Sequence, residues 1–331
     1  MHYFSVKVPG DYAETQRLDS YIATLPNGMN RSKLKSGVTE IMVNGKSRKL
    51  SFKIKAGDQI DIRWEDNVPD DIEPEDIPLD IVYEDEDVCV VNKAQGMVTH
   101  PACGNWTGTL VNALLYHWGR QGIAQIKEGR ESEILSRRRP GIVHRLDKET
   151  SGIIITAKNR DAEEYLQDQF RHRRNMTKEY IAICCGRPPS KSGVIKTQII
   201  RDPKHRRRFK AVTDESQGKY AETAYTCIAS YGQYSLMVLR LHTGRTHQIR
   251  VHMKYLNCPI LGDEIYYKKD STFPKATLML HARMLKIILP GKKEASTFIA
   301  RTPERFIQIE KRLKKIYRKT VMDKQENQNG K

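Results

Sequence analysis

The sequence predicts an α+β chain, with a small basic α/β unit followed by a larger domain on a mainly antiparallel mixed sheet. Three observations lead there. Beyond residue 80, stretches with strand character outnumber helical ones and do not alternate strictly with them, which disfavours a doubly wound parallel sheet. Residues 1–64 hold short helix and strand signals crowded with lysine and arginine. Between the two lies "EDNVPDDIEPEDIPLD" (65–80), acidic and proline-bearing, with neither a helical nor an alternating period, as a linker would read. A chain of 331 residues is long enough for two domains, each with its own core.

In the first unit, "RLDSYIATLP" places Leu18, Tyr21, Ile22 and Leu25 at helical spacing. A second short helix is expected in "RSKLKSGV" after a turn at Asn30. "EIMVNGKSRKLSFKIKAGDQIDI" then reads as strand, Asn-Gly turn, strand, glycine turn and strand. Arg17-Leu18-Asp19, Arg31-Ser32, "VNGK" and "KAGD" together resemble an S4 RNA-binding domain. That resemblance implies that Arg31, Ser32, Lys33 and Lys46 touch RNA.

The large domain is expected over residues 81–320. "IVYEDEDVCVVNK" reads as two short strands around an acidic turn. "GTLVNALLYHW" reads as a helix with Leu110, Ala113, Leu114 and Trp118 on one side. "SGIIITAK" is a buried strand, and "DAEEYLQDQFRHRR" a helix with its acids early and bases late, as the helix dipole favours. Strands follow in "KEYIAICCG", "KYAETAYTCIAS" and "YSLMVLRLH", and "RTHQIRVHMKYL" returns to helix. The polar end, 321–331, is expected to be disordered.

A net charge of +17 and an isoelectric point near 9.5 call for a polyanionic partner, and nucleic acid is the usual one. Basic runs at 137–139, 171–174, 204–210 and 311–319 fit contacts to phosphates, which supply affinity and salt sensitivity without base specificity. The six cysteines are scattered with no C-x-x-C pair, so metal and disulfide roles are not expected. With neither an apolar run of bilayer length nor a leader pattern, a cytoplasmic protein is expected.

The stretch "GIVHRLDKETSG" sets one acid, Asp147, between an arginine and a lysine at the mouth of the buried strand. It is not a kinase catalytic loop, because Leu146 separates the arginine from the acid and Ser151-Gly152 stand where the loop's asparagine is needed. Phosphate-binding glycine loops and a nucleophile elbow are also missing. His242, His247 and His252 recur every five residues, about 500° apart on a helix, so zinc is poorly served and ordinary polar or packing roles are expected of them. What remains is a lone carboxylate that must stay ionised against desolvation, for which a guanidinium is the natural partner. Arg245, in a glycine-bounded turn between strand and helix, could supply one, although spacing alone cannot bring the two together.

"GIVHRLDKETSGIIITAK", "KEYIAICCG" and "LHTGRTHQIRVHM", in that order, resemble the signature motifs of the RluA family of RNA pseudouridine synthases. "DIPLDIVYEDEDVCVVNK" and "GMVTHPACGNWTGTLVNALLYH" extend the likeness to its RluD-like large-subunit ribosomal RNA branch, with Ala94 standing where relatives have proline. The resemblance implies that Asp147 acts at the ribose of a target uridine. It further implies that Tyr180 packs on the uracil and relays the C5 proton, and that Arg245 pairs with Asp147. Ile249 would wall the base pocket, Arg145 would enter the space the uridine vacates, and His144 would line the substrate site. The implied substrate is large-subunit ribosomal RNA, free or within a pre-ribosomal particle; apart from the resemblance, a monomer is the default expectation.

The implied reaction breaks N1–C1′, turns the uracil and rejoins it through C5, so no metal, redox group or nucleotide cofactor is expected. Covalent attack at C1′, attack on the base and deprotonation at C2′ all remain open. Taken singly, Asp147 could cap a helix, Tyr180 could be core and Arg245 a structural ion-pair partner. The competing function is a non-enzymatic RNA-binding or ribosome-assembly factor on the same fold.

Overall fold

A computed structural model describes residues 2–25, 34, 38–64, 72–102, 104–119, 141–173, 175–205 and 207–329. Arg31, Ser32, Lys33, the helix expected around them and the basic run 137–139 lie outside the described residues. The chain divides into two units, Met1–Asp71 and Ile72–Lys331. Residues 72–80, expected as spacer, therefore belong to the second unit. There the Asn112 side chain donates to the Glu73 carbonyl at 2.7 Å and the Glu75 N–H donates to the Asn112 carbonyl at 3.0 Å.

In the first unit, strands β1 (His2–Lys7), β2 (Val38–Val43), β3 (Lys46–Ser47) and β4 (Gln59–Trp64) form one antiparallel sheet in the order β1-β4-β2-β3. Helix α1 (Leu18–Ile22) packs Leu18 and Ile22 with Leu34, Val43, Ile54, Ile60 and Ile62. Alternation along β4 sends Ile60 and Ile62 to that core and leaves Asp61 to accept from Tyr3 and Ser5. Lys46, beside the Asn44-Gly45 turn, is exposed.

The second unit begins with β5 (Ile81–Glu84), β6 (Val88–Lys93), α2 (Leu110–Trp118), β7 (Ser151–Ala157) and α3 (Arg160–His172). The sheet continues in β8 (Thr177–Cys185), β9 (Ser192–Arg201), β10 (Phe209–Val212), β11 (Lys219–Tyr231) and β12 (Tyr234–Leu241). Helix α4 (Gln248–Tyr255), β13 (Leu280–Ile288), β14 (Ala295–Ile299) and α5 (Glu304–Asn329) complete it. The ten strands form one sheet in the order β10-β9-β11-β12-β8-β13-β7-β6-β5, with β14 on β13. Among the described strands, only β13 and β7 pair in parallel, so the expected α+β class and mainly antiparallel sheet hold. α5 runs on to Asn329, so the stretch expected as a disordered tail is largely helix.

β6 and β7 show why the sheet lies buried between two cores. Along β7, Ile153, Ile155 and Ala157 face one cluster, which Ala162 and Leu166 of α3 cover. Ile154 faces the other, with Leu110 and Leu114 of α2, Ile249 and Met253 of α4, and Phe306, Ile309 and Leu313 of α5. β6 repeats the split, Val88 and Val90 against Cys89 and Val91. The period of two, carried by β-branched side chains, thus serves both faces. Thr109 starts α2 by accepting from the Asn112 N–H, while the Asn112 side chain accepts from the Thr109 N–H, a reciprocal cap.

At the β7–β13 junction the backbones nearly touch. Gly152 has φ +116°, and a Cβ there would lie 2.1 Å from the Ala282 carbonyl oxygen. Both the conformation and the space require glycine. Gly152→Ala is expected to destabilise the second unit by several kcal/mol, because backbone rather than a mobile side chain must move. Urea denaturation followed by far-UV circular dichroism would measure this, and a loss under about 1 kcal/mol would refute it.

Candidate active site

Asp147 sits in the loop that feeds β7, and neighbours on both sides pin that loop. The Leu146 carbonyl accepts from the buried Thr99 hydroxyl at 2.9 Å. The Lys148 carbonyl accepts from the Gly96 N–H at 2.9 Å and from Lys93 Nζ at 3.3 Å. Lys93 is wholly buried, and its ammonium also donates to the carbonyls of Ala94 and Met97. Burial pushes this lysine down to about 7, against the opposing pull of Asp147 and Glu149. His144 accepts the Ile155 N–H at Nε2 and stacks on Phe170, with ring centroids 4.4 Å apart. Burial, helped by Lys178, holds His144 neutral.

The other half of the site is the turn into α4. Buried Gln248 organises it: its side-chain oxygen accepts from the Arg245 N–H at 3.0 Å and the Thr243 hydroxyl at 2.7 Å. Its amide nitrogen donates to the Glu222 carbonyl and to Thr223 Oγ1, both at 2.9 Å, so the turn is tied to β11. His247 follows in the left-handed region, φ +57°, an uncommon conformation for a residue with a side chain. Its ring is held edge-on between Phe209 and Tyr266. Tyr266 Oη accepts from the Phe209 N–H and shares a hydrogen bond of 2.9 Å with His247 Nδ1. Its Nε2 lies 3.7 Å from Asp147 Oδ2. Burial lowers the affinity of His247 for a second proton, while Asp147 opposes that.

The guanidinium beside Asp147 is that of Arg250. Arg250 Nε and Nη2 each donate at 2.8 Å to the two oxygens of Asp263, whose side chain is 1% exposed. That bidentate grip fixes the fork and leaves Nη1 at 3.5 Å from Asp147 Oδ2. The expected pairing of Arg245 with Asp147 is thereby corrected. Arg245 lines the same cavity, but its Nε donates to the Tyr220 carbonyl at 2.9 Å and its side chain is exposed. Arg245 heads the turn, whereas Arg250 projects from the helix that the turn starts, on the face packed against Asp263. The ordinary role expected of His247 is corrected too, since it is the second group facing Asp147.

These groups surround a cavity of about 280 Å³. Tyr180, Leu146, Ile249 and Leu280 give it a buried apolar lining, with Asp147 at 21% side-chain exposure. The structure therefore brings Asp147, Tyr180, Arg245, Arg145, Ile249 and His144 into one site. Burial, reinforced by the charge of Asp147, pushes the Tyr180 hydroxyl far up, so it stays a phenol. Arg145 is exposed at the rim. A lone carboxyl group beside a fixed guanidinium, at a cavity with apolar walls, suits charge stabilisation at a sugar with a base held beside it.

The RNA pseudouridylate synthase family pattern matches residues 87–255, which hold these side chains except Asp263, Tyr266 and Leu280. A ribosomal large subunit pseudouridine synthase D of Borreliella burgdorferi is 43% identical, over 88% of this chain and 87% of its own. The chain belongs to the RNA pseudouridine synthase family. An RNA pseudouridine synthase of Aquifex aeolicus, itself uncharacterized, is 41% identical over 88% of this chain and 92% of its own. Among solved structures, human RNA pseudouridylate synthase domain containing 4 superposes with a TM-score of 0.54 at 26% identity, covering 71% of this chain and 92% of that one. As a pseudouridine synthase the enzyme is an isomerase acting on uridine in RNA, and the site lies on the shared fold. Among the described residues, no helix is long and apolar enough to cross a membrane.

The synthase's site helix also carries a pH liability. His252 is fully buried between the hydroxyls of Thr197 (3.0 Å) and Thr223 (2.8 Å), and burial pushes it down to about 4. His281, equally buried beside Ser151, is likewise pushed down to about 4. Unfolding frees both rings to take up protons near their ordinary value of about 6.5, so the unfolded chain binds more protons between the two values. Stability is thus complete above pH ~6.5 and falls towards pH ~4, by a few kcal/mol in all. Urea midpoints measured across that range should drop with acid, and a His252→Gln variant should show a shallower slope than the parent.

Proposed function

We propose that this enzyme converts a specific uridine of large-subunit ribosomal RNA to pseudouridine, with Asp147 as its catalytic carboxylate. The observation that carries the reading is a single acidic side chain, held by Arg250 and His247, at a cavity lined by Tyr180 and Ile249. Relatives named as ribosomal large subunit pseudouridine synthase D, from Borreliella burgdorferi at 43% identity and Pasteurella multocida at 37%, support ribosomal RNA as the substrate class.

The target nucleotide leaves its stack, at a cost of a few kcal/mol, and its base enters between Tyr180 and Ile249. Exposed Arg145 takes the vacated place in the RNA. Asp147 then acts at the ribose, by attack or by stabilising charge as N1–C1′ breaks. Arg250 Nη1 and His247 Nε2, at 3.5 and 3.7 Å, hold the carboxylate in place for that step. The freed uracil turns within walls that exclude water, so C5 rather than a hydroxyl meets C1′. Because its hydroxyl stays protonated, Tyr180 cannot wait as a phenolate. It relays a proton in concert, giving its own to the uracil ring, where N1 ends as N–H, as it receives that from C5. The first unit, with Arg17 and Lys46 among its cations, serves as an S4-like RNA-binding module.

The test is to incubate the enzyme with large-subunit and small-subunit ribosomal RNA transcripts and with transfer RNA, then map pseudouridine chemically. Product confined to large-subunit RNA is the expected result. Product only in another RNA overturns the substrate assignment. Failure to form it on any RNA returns the chain to the assembly-factor alternative.

A further inference from the structure

The cavity carries a second set of charged groups that the reaction at Asp147 does not use. Arg173, Lys178 and Arg245 all line it, and among the described residues no carboxylate lies within ion-pair distance of any of them. Lys178, on β8, is 8% exposed, and its ammonium rests over the Phe170 ring at 5.4 Å without a hydrogen-bond partner among the described residues. Arg173, at the end of α3, takes the left-handed conformation at φ +53°, and its buried Nη1 has no hydrogen-bond partner among the described residues. The two charged ends converge on Gly244. A Cβ on that glycine would lie 2.9 Å from Arg173 Nη2 and 3.5 Å from Lys178 Nζ. Gly244 is therefore a close-approach position, and Arg245 is the next residue.

Like charges held together and partly desolvated resist each other. Burial, with Arg173 adding to it, pushes Lys178 down to about 7, and burial with Arg245 adding to it lowers Arg173. A fold keeps such an arrangement when an anion completes it. A uracil carbonyl is neutral and would leave the repulsion in place. The phosphodiester that accompanies every nucleotide is the fitting anion, and guanidinium forks bind it bidentately. Arg245 also lines an adjoining open cavity with Lys219, which gives the RNA strand a continuing basic path away from the site.

We propose that Arg173, Lys178 and Arg245 form a preorganised phosphate site that grips a phosphodiester flanking the extruded uridine, so that the enzyme seats a nucleotide rather than a base. This rests on the isomerase reading above and adds the part of the substrate recognised beside the reacting ring.

The probes are uridine, uridine 5′-monophosphate and uridine 3′-monophosphate, titrated into the full-length protein at low salt by calorimetry or ligand-observed NMR. One of the nucleotides is expected to bind about tenfold tighter than uridine, and Arg173→Met or Lys178→Met to abolish most of that margin. Gly244→Ala keeps all three charges and displaces the Arg173 fork, so it should shrink the margin as well and serves if Arg173→Met folds poorly. In parallel, a ribosomal RNA fragment carries an uncharged methylphosphonate on one side or the other of the mapped uridine. One substitution should lower kcat/KM of the wild type about tenfold, and Arg173→Met should lose no more on the neutral RNA than on the native one.

Nucleotides no tighter than uridine, undetectable binding included, overturn the site. So does equal turnover of charged and neutral linkages, and either result leaves the isomerase reading untouched. A nucleotide preference that depends on Arg173 and Lys178, in a protein that forms no pseudouridine on any RNA, keeps the phosphate site and removes the isomerase reading instead.

Discussion

Asp147→Asn is expected to lower pseudouridine formation by about 10⁴-fold or more, a barrier increase of roughly 5–6 kcal/mol, while RNA affinity and fold remain near wild type. The change is nearly isosteric and removes only the charge. An amide can neither attack C1′ nor offset positive charge at the sugar as N1 departs. The phosphate-directed cations are untouched, so binding should persist. Stability should change by under about 1 kcal/mol, since Asp147 is partly exposed and its contacts with Arg250 and His247, at 3.5 and 3.7 Å, are long ones. Single-turnover mapping on ribosomal RNA, run beside a filter-binding titration, separates the two effects. Should the Asn variant keep more than about a tenth of the wild-type rate, Asp147 is not the reacting carboxylate.

Much of this site is legible in the sequence. The acid at the mouth of "SGIIITAK", the aromatic in "KEY" and the apolar Ile249 all line one cavity, because each lies at the end of a strand or on a helix whose period is plain. What the sequence does not disclose is which cation meets Asp147. Arg245 and Arg250 share one motif, and the choice turns on Asp263, well downstream in a stretch without helical or strand period, and on Gln248 fixing the turn. Spacing within "GRTHQIR" cannot encode a partner that folds in from elsewhere. His247 escapes notice for a related reason: the fivefold histidine spacing suggests scatter around a helix, yet His247 precedes the first turn of α4, where helical geometry does not apply. An acid–arginine pair bracketing the motif, Arg250 with Asp263, is the signal that could have been followed.

The same limits explain the fold. β6 and β7 show themselves by alternation and β-branched runs, whereas β13, "LHARMLKII", is rich in residues that favour helix. It becomes a strand because β8 and β7 supply ladders on either side and its Leu280, Ala282 and Leu285 reach the two cores. α5 carries Phe306, Ile309 and Leu313 at helical spacing, but its lysines and arginines draw the eye to charge first. The helix then continues past the expected end because the polar residues that follow are good helix formers, with neither glycine nor proline before Gly330.

The second large effect is expected at Arg250, and it separates structure from chemistry. Arg250→Met should cost about 3–5 kcal/mol of stability, because Asp263 is left buried with its charge uncompensated apart from the N–H donors of Ile265 and Tyr266. The same variant should lose nearly all turnover, since Asp147 loses its guanidinium. A poorly folded protein would also be inactive, so the single variant decides little. Adding Asp263→Asn to Arg250→Met removes the stranded charge, and the double variant should regain most of the lost stability, read as the urea midpoint. If Arg250 serves the reaction through Asp147, that refolded double variant stays inactive. Asp263→Asn alone, which keeps Arg250 but loosens its aim, should retain partial turnover. Arg245→Met should melt with the wild type and lose chiefly RNA affinity, because the Arg245 side chain is exposed and Gln248 holds the turn through the backbone. Recovery of activity together with stability in the double variant would make Arg250 a purely structural cation, and His247 would then be left as the group that faces Asp147.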